Sequence, residues 1–415
     1  MPRILFTTVG SYGDLHPYLA IGLELRKRGH QVTIATHATF GAKVKFERLG
    51  FHPVRPDIPS VANVADLVGD PRGADRVLRL LSSSIRESYQ DTLAAAERAD
   101  TIVTHTQAYA ATLAARKLGI PWISTALSPI SLPSAHDPPV LAEAPWLIHL
   151  RLFGPRFMRL VLRAVDWRSL ASVRPILDLE AELGLPQGAH PVFAGRHSPS
   201  LVLALFSRCF AEPQPDWPPQ TVATGFPFYD RDLGYRNLSR ALESFLAEGP
   251  APIVFTLGSV ATHAAGNFYS DSLEAVKRLG ARAVFLTGAQ SQGLPDTLPA
   301  GVIAAPYAPF SPLFPHAAVI VQHGGIGTTA QAIRSGRPML VTPYTFDAAD
   351  NGARVKRLGA GEVLYQNRYN ARRAEQRLRS LLEETSFQKA AAALSGIVCA
   401  ENGSAAAADA IESRL

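Results

Sequence analysis

The sequence predicts an α/β protein of two doubly wound, parallel-sheet domains, and three observations carry that expectation. Short apolar runs alternate with helical patterns through both halves of the 415 residues, the mark of repeated βαβ units. Two of these runs end in glycine-rich turns, at Gly10–Gly13 and at His323–Gly327, the place where open parallel sheets hold ligands. Glu212–Gln220 (EPQPDWPPQ), with four prolines in nine residues, stands between the halves and reads as a stiff linker. The expected division is residues 1–212, a linker at 213–222, and residues 223–415, in keeping with a prior of ~150 residues per domain.

Composition bounds the function. A hydrophobic fraction of 47% with 18% charged residues describes a well-cored globular chain. No apolar run approaches the ~18 residues that would cross a bilayer. Met1–Val9 lacks the charge, core and cleavage site of a signal peptide, so a cytoplasmic protein is expected. Cys209 and Cys399 give neither a disulfide framework nor a metal-binding spacing. The net charge of +6 comes from scattered arginine. It reads first as a solvated surface, and more sharply as affinity for phosphate-rich ligands or an anionic membrane face. Nothing in the pattern points to nucleic acid, and the oligomeric state is not legible.

In chain order, Arg3–Val9 is an apolar strand, Gly10–Pro17 (GSYGDLHP) a loop, Tyr18–Arg28 a helix and Gln31–Thr36 the next strand. A dinucleotide site would need an acidic residue at the end of that second strand, where Ala35-Thr36-His37 stands instead. Pro56–Asp70 reads as loop and Ala74–Glu97 as a long helix. Pro121–Leu127 is a strand and Ser128–Pro139 a loop rich in proline and serine. Pro145–Ile176 mixes Trp146, Leu152, Phe153 and Phe157 with six arginines. It is expected to face the core with a solvated basic side, and a lipid-facing or acceptor-lining role is the alternative. Leu201–Phe206 is expected to be the last strand of the first domain.

The second half repeats the alternation. Pro252–Leu257 runs into Gly258-Ser259, Phe268–Leu279 is a helix, and Ala281–Leu286 and Gly301–Ala305 are strands. Ala318–Gln322 is a short buried strand. His323-Gly324-Gly325-Ile326-Gly327-Thr328-Thr329 follows directly, then a helix from Ala330 that Gly336 stops. Glycines let backbone N–H groups approach a ligand, and the helix end behind them carries unpaired donors and partial positive charge. The turn therefore suits a phosphate, with Thr328 and Thr329 as caps or further donors.

His323–Asn351 resembles the donor-binding signature of family 1 glycosyltransferases, inverting nucleotide-sugar enzymes of GT-B fold. The resemblance rests on His323–Thr328, Gly336-x-Pro338 with Pro343, Asp347 at 24 positions past His323, and Asp350-Asn351. The loop G-S-x-G-D-x-x-P at Gly10–Pro17 is similar to the sterol, glycopeptide-antibiotic and rhamnolipid-type branches, with Asp14 where most members carry histidine. It implies two Rossmann-like domains facing across a cleft, with the terminal helix near 404–415 crossing back to the first.

That resemblance implies a UDP- or dTDP-sugar co-substrate, no other cofactor, no metal, and a lipophilic small-molecule acceptor. The acceptor hydroxyl must lose a proton during attack, and Asp14 is the candidate base with His16 as alternative. An N-cap role is the bland reading of Asp14. On the donor side the resemblance assigns His323, Gly324, Gly325, Gly327, Thr328 and Thr329 to the diphosphate, with Gly258 and Ser259 as a second contact. It assigns Tyr307 to the nucleobase, Gln331 to the ribose and Asp347 to the sugar. Asn351 is the candidate to compensate Ala348, which stands where the family has glutamine. Ser11, Tyr12, His105 and Trp146 are acceptor-side candidates. No carboxylate occupies the region of His105 and Thr106, where the family supports its histidine. A catalytically silent nucleotide-sugar binder is the alternative function.

Overall fold

A computed structural model describes residues 1–57, 73–186, 189–231, 237–288, 293–344 and 346–415, without the side chains of Ser259, Val260 and His263. The loop expected at Pro56–Asp70 lies largely outside the described residues. Among the described residues, thirteen strands form two all-parallel sheets. The first comprises β1 (Arg3–Thr7), β2 (Gln31–Thr36), β3 (Gly50–Pro53), β4 (Thr101–Thr104), β5 (Trp122–Ala126), β6 (Val202–Ala204) and β7 (Thr221–Ala223), in the order β3-β2-β1-β4-β5-β6-β7. The second comprises β8 (Ile253–Thr256), β9 (Ala283–Leu286), β10 (Val302–Ala305), β11 (Val319–Gln322), β12 (Met339–Val341) and β13 (Gly361–Val363), in the order β10-β9-β8-β11-β12-β13.

These orders decide where chemistry can sit. Each sheet reverses direction once, between β1 and β4 in the first and between β8 and β11 in the second. Loops leaving the two strands at such a point diverge and open a crevice. The reversal thus brings Gly10–Asp14 beside His105 in one domain, and Gly258 beside His323 in the other.

The helices used below are α1 (Tyr12–Lys27), α2 (Gly73–Ser83), α3 (Ile85–Ala96), α4 (Tyr109–Leu118), α5 (Gly154–Ser169) and α6 (Arg174–Glu182). In the second half they are α7 (Phe268–Leu279), α8 (Ile326–Ser335), α9 (Ala348–Arg357), α10 (Ala371–Glu383), α11 (Thr385–Ala400) and α12 (Gly403–Glu412). α1 begins at Tyr12 rather than Tyr18, so the expected loop is the first helical turn. Ser11 caps it by accepting from Gly13 N, and Asp14 closes a capping box by accepting from Ser11 N. Two orphan N–H groups satisfied reciprocally hold the helix start, with Pro17 inside it.

Three further expectations are corrected. The segment after Phe206 does not leave the first domain, because Thr221–Ala223 pairs with Val202–Ala204 as β7. Trp217 and Phe210 are buried in the core, and Asp216 accepts from Ser134 Oγ and Ala135 N, so the stretch expected as a stiff linker is anchored in the first domain. The long helix expected at Ala74–Glu97 is two, α2 and α3. Finally, Pro145–Phe153 (a 3₁₀ segment) and α5 do not face the core. Met158 is the single buried residue across both.

One apolar core runs from β5–β7 through Phe226 to β8, β11 and β12. α12 returns to the first domain, where Ala407, Ala408 and Ile411 join the core of Leu15, Leu19 and Ile34. Arg28, the C-cap of α1, reaches Asp409 at 2.5 Å and Glu412 at 2.7 Å.

Candidate active site

Asp14 lies at the reversal of the first sheet because the capping box fixes its rotamer. Its Oδ2 accepts from Ser11 N at 2.7 Å and from Ser11 Oγ at 3.0 Å. Its Oδ1 stands 3.5 Å from His105 Nε2. The carboxylate curls back over Gly10, whose φ of +131° leaves room that a Cβ would fill, 2.3 Å from Asp14 Oδ2. Burial pushes the Asp14 carboxyl up, but His105, by hydrogen bond and charge, and the Ser11 donors outweigh it and leave it below the ordinary value. The capping role and an active-site position are therefore compatible: one oxygen holds the helix, the other faces His105.

His105 is buried, 4% exposed, at the end of β4. Its Nδ1 accepts from Gln107 N at 3.2 Å, which leaves Nε2–H directed at Asp14. The position at the end of β4 where a carboxylate was sought thus holds His105, which faces Asp14. The two residue types have exchanged places, acid on α1 and imidazole after β4. The signal was in the sequence, since a buried histidine stands where a carboxylate was sought. His16 lies instead in an aromatic group, with ring centroids 4.9 Å from Tyr229 and 5.6 Å from Tyr12. A small cavity of about 20 Å³ lies nearby, lined by Thr8, Val9, Gln107, Tyr109, Leu81 and Ile85 among others. Trp146 is 62% exposed on the 3₁₀ segment.

Across the molecule the glycine turn departs from β11. Gly324 has φ +97°, and a Cβ there would meet Ala348 at 2.8 Å, so only glycine fits. Gln322, fully buried, accepts from Gly324 N at 2.6 Å and donates to Thr329 Oγ1 at 3.0 Å. This residue was missed by sequence reasoning, because a strand-end glutamine carries no motif signal. Thr329 is consequently occupied inside, and α8 has no side-chain cap, which corrects the cap role expected for both threonines and the donor role expected of Thr329. α8 starts at Ile326, so N–H groups of Gly327 and Thr328 precede its first helical bond, Thr329 N to Gly325 O. Gly327 is exposed, and a Cβ on it would meet nothing.

His323 packs between two glycines: a Cβ on Gly258 (φ +69°) would stand 2.6 Å from its Cε1, and one on Gly325 2.5 Å from its Nε2. Burial lowers its pKa to about 4, so the imidazole is neutral near pH 7 and donates through a single N–H. Its Nδ1 is buried without a hydrogen-bond partner among the described residues. The side chain of Ser259 lies outside the described residues. Tyr307, after β10, is 37% exposed.

Asp347 precedes α9. Burial pushes its carboxyl up to about 7, against a hydrogen bond from Asn351, and the negative Asp14 adds to the rise. The Ile326 N–H also lies within its reach. Asn351 is fully buried, and its Nδ2 donates to Gly324 O and to Asp347 Oδ2, both at 2.8 Å. It fastens the glycine turn to α9 instead of compensating Ala348 toward a sugar. Gln331 donates to Asp230 Oδ1 at 3.1 Å and accepts from Arg334 at 2.7 Å, so its amide is already engaged. Among the described residues no group of three or more His, Cys, Asp or Glu is arranged to hold a metal.

Two doubly wound parallel-sheet domains, each opening a crevice where its strand order reverses, have the GT-B fold, and the chain is a nucleotide-sugar-dependent glycosyltransferase. Residues 4–125 match the glycosyltransferase family 28 N-terminal domain, and residues 270–412 match the erythromycin biosynthesis protein CIII-like C-terminal domain. The chain belongs to the glycosyltransferases that combine these two domains.

The O-mycaminosyltylonolide 6-deoxyallosyltransferase of Streptomyces fradiae is 28% identical, over 97% of this chain and 94% of that protein. Glycosyltransferase GtfE of Amycolatopsis orientalis is 29% identical, over 86% and 85%. A sterol 3-beta-glucosyltransferase of Candida albicans is 26% identical over 87% of this chain, which spans only 24% of that protein. Among solved structures, the glycotransferase of kitacinnamycin superposes with a TM-score of 0.72 at 23% identity, covering all of both chains. The spinosyn rhamnosyltransferase SpnG, complexed with thymidine diphosphate, gives 0.71 at 19% identity, covering 99% of this chain and all of that one. At such identities these two show the fold.

Proposed function

We propose that the chain moves a deoxy sugar from a dTDP or UDP donor, with inversion, to a hydroxyl of a lipophilic small molecule. The observation that carries this is the packing of Ile326, within the Gly324–Thr328 turn, against the first-domain core of Leu15 and Tyr18, which supports a shared cleft between that turn and Asp14. The acceptor oxygen attacks the anomeric carbon while its proton passes to Asp14 Oδ1. The bond from that carbon to the diphosphate breaks, and its electron pair leaves with the phosphate. Donors fixed in advance at the Gly327 and Thr328 N–H groups and at His323 stabilise the charge that develops there. One displacement from the face opposite the leaving group inverts the centre, and no second nucleophile is required.

His105 is the positioning residue of this reading. Its Nε2–H holds Oδ1 toward the cleft in the ground state and stabilises the carboxylate between turnovers. Thymidine diphosphate is favoured because SpnG was crystallised with it. A deoxy sugar is favoured because Ala348 offers no amide to a hydroxyl, and a relative over nearly the whole chain is named for a 6-deoxyallosyl group. Ser11 and Tyr12 are on the acceptor side, Tyr307 stacks on the base, and neither metal nor further cofactor is used.

The test is transfer from a panel of dTDP- and UDP-sugars. Asp14→Asn abolishes transfer, by a factor of about 10² or more, with dTDP affinity unchanged. His105→Ala lowers kcat and moves the lower limb of the pH–rate profile upward, because Asp14 loses the partner that keeps its carboxyl low. Full transfer by Asp14→Asn would end the assignment.

A further inference from the structure

Among the described residues, the segment expected to turn inward gathers the densest run of exposed large apolar side chains. Trp146 is 62% exposed, Leu152 84%, Phe153 69%, Leu160 58% and Trp167 76%. On α5, Phe157, Leu160, Ala164 and Trp167 follow at spacings of three, four and three, one stripe down the outward face. The inward face is already supplied by Met158 with half-buried Val161 and Val165, so this stripe is a second one that the fold does not consume. Phe153 continues it, its ring centroid 5.3 Å from Phe157.

Charge tells what covers it. At 3.6 residues per turn, Arg156, Arg159 and Arg163 border the stripe on one side and Arg168 on the other, with Arg151 on the preceding segment. All five are exposed. Among the described residues none of them has a carboxylate partner. The one acid here, Asp166, faces His190 at 3.4 Å. Residues 145–170 therefore carry +4 (5 minus 1) of the chain's +6. A contact between two copies through this face would set arginines against arginines, since a twofold interface is self-complementary. The cores of protein interfaces are in any case depleted of charge. Aromatic and leucine side chains on a stripe bordered by arginines are instead what a helix lying in a lipid–water interface presents.

We propose that α5 with the Pro145–Phe153 segment docks this protein on an anionic lipid bilayer, the arginines at the phosphates and the Trp–Leu–Phe stripe at the acyl boundary. No helix of the described residues is long and apolar enough to span a membrane, so the attachment is peripheral and reversible. α6 follows α5 after one turn, and Val173 of that turn with Ile176 and Leu179 of α6 packs against Leu81, Ile85 and Tyr109, which also line the small cavity beside Val9 and Gln107. The docked face therefore adjoins the helices that line that cavity. The docking itself is independent of the proposed reaction, and its test involves no turnover.

The full chain is mixed with vesicles of phosphatidylcholine, with and without phosphatidylglycerol, and spun down at low and high salt. Binding to the anionic vesicles, lost in high salt, is expected, with little binding to neutral ones. A brominated anionic lipid should quench Trp167 and Trp146, while buried Trp122 and Trp217 stay bright. Arg156→Gln with Arg163→Gln lowers the partition coefficient roughly 30-fold, at about 5-fold per arginine near the surface. Leu160→Ala with Trp167→Ala reduces both binding and quenching. All four side chains are exposed, so thermal midpoints should not move, and either pair decides if the other fails to fold. Equal partition of the double-arginine variant, or no binding at low salt, overturns the proposal. A dimer in sedimentation that Leu160→Ala with Trp167→Ala splits would overturn it too.

Discussion

Among the candidate site residues with a printed shift, Asp347 is set furthest from its ordinary state. Its carboxyl titrates near 7 because burial and the Asp14 charge both disfavour ionisation. Hydroxyl donors of a sugar favour the ionised form, so sugar binding must expel a proton below that value and need not above it. Affinity for dTDP-sugar relative to dTDP should therefore rise from about pH 6 to about pH 8, by up to tenfold per unit below the titration point. His323, neutral across this range at about 4, adds no slope of its own. Calorimetry in two buffers of different ionisation enthalpy reads the proton directly, and Asp347→Asn should remove it. The same raised value costs unliganded stability as pH rises from the ordinary carboxylate range through 7, so Asp347→Asn should flatten that loss as well. At this scale the sequence named the participants better than their duties. Asp14 and His323 are legible because motif spacing ties residue type to place. The reassignment of His105, Asn351, Thr329 and Gln331 is not, because each is decided by which neighbour takes its hydrogen bond.

At the scale of elements, the glycine turn works because something holds it from behind. Gln322 accepts from Gly324 N and donates to Thr329 Oγ1 within a fully buried strand end. Gln322→Leu fills the space but leaves the Gly324 N–H buried without a partner, a loss of about 1–3 kcal/mol. Chemical unfolding should register that loss, and dTDP affinity should fall as the turn loosens. A turn shaped by its glycines alone would keep both. Long apolar strands and the turns after them were readable from period and punctuation. β3, β7 and β13, at three or four residues each, were not, since such runs give periodicity nothing to act on. Nor was the outward side of α5, where an apolar count cannot distinguish a stripe facing the core from one facing away.

For the whole molecule, the pairing of two doubly wound sheets followed from the alternation of elements, but what fixes one domain against the other did not. Asp137, in a first-domain loop, accepts from Arg354 at 2.6 Å and from Arg357 at 2.7 Å, both on α9. Asp350, 2% exposed, accepts from Arg354 Nε at 2.8 Å and, with its other oxygen, from Val140 N at 3.0 Å. These partners lie more than two hundred positions apart in sequence, beyond any spacing argument. α9 thus bears Asp347 and Asn351 on its donor side and this latch on its domain-facing side. Arg354→Met strands the Asp350 carboxylate in the interface, where breaking one side of a buried pair costs about 3–5 kcal/mol. Lys356→Met, which removes an exposed pair with Glu362, should cost no more than about 1 kcal/mol. Adding Asp350→Asn to Arg354→Met should recover much of the loss, because an amide oxygen still accepts from Val140 N without a buried charge. Urea unfolding of the three variants measures this order. Equal effects of Arg354→Met and Lys356→Met would mean that solvent reaches the latch and that the apolar core shared by β6, Phe226 and β8 alone sets the domain geometry.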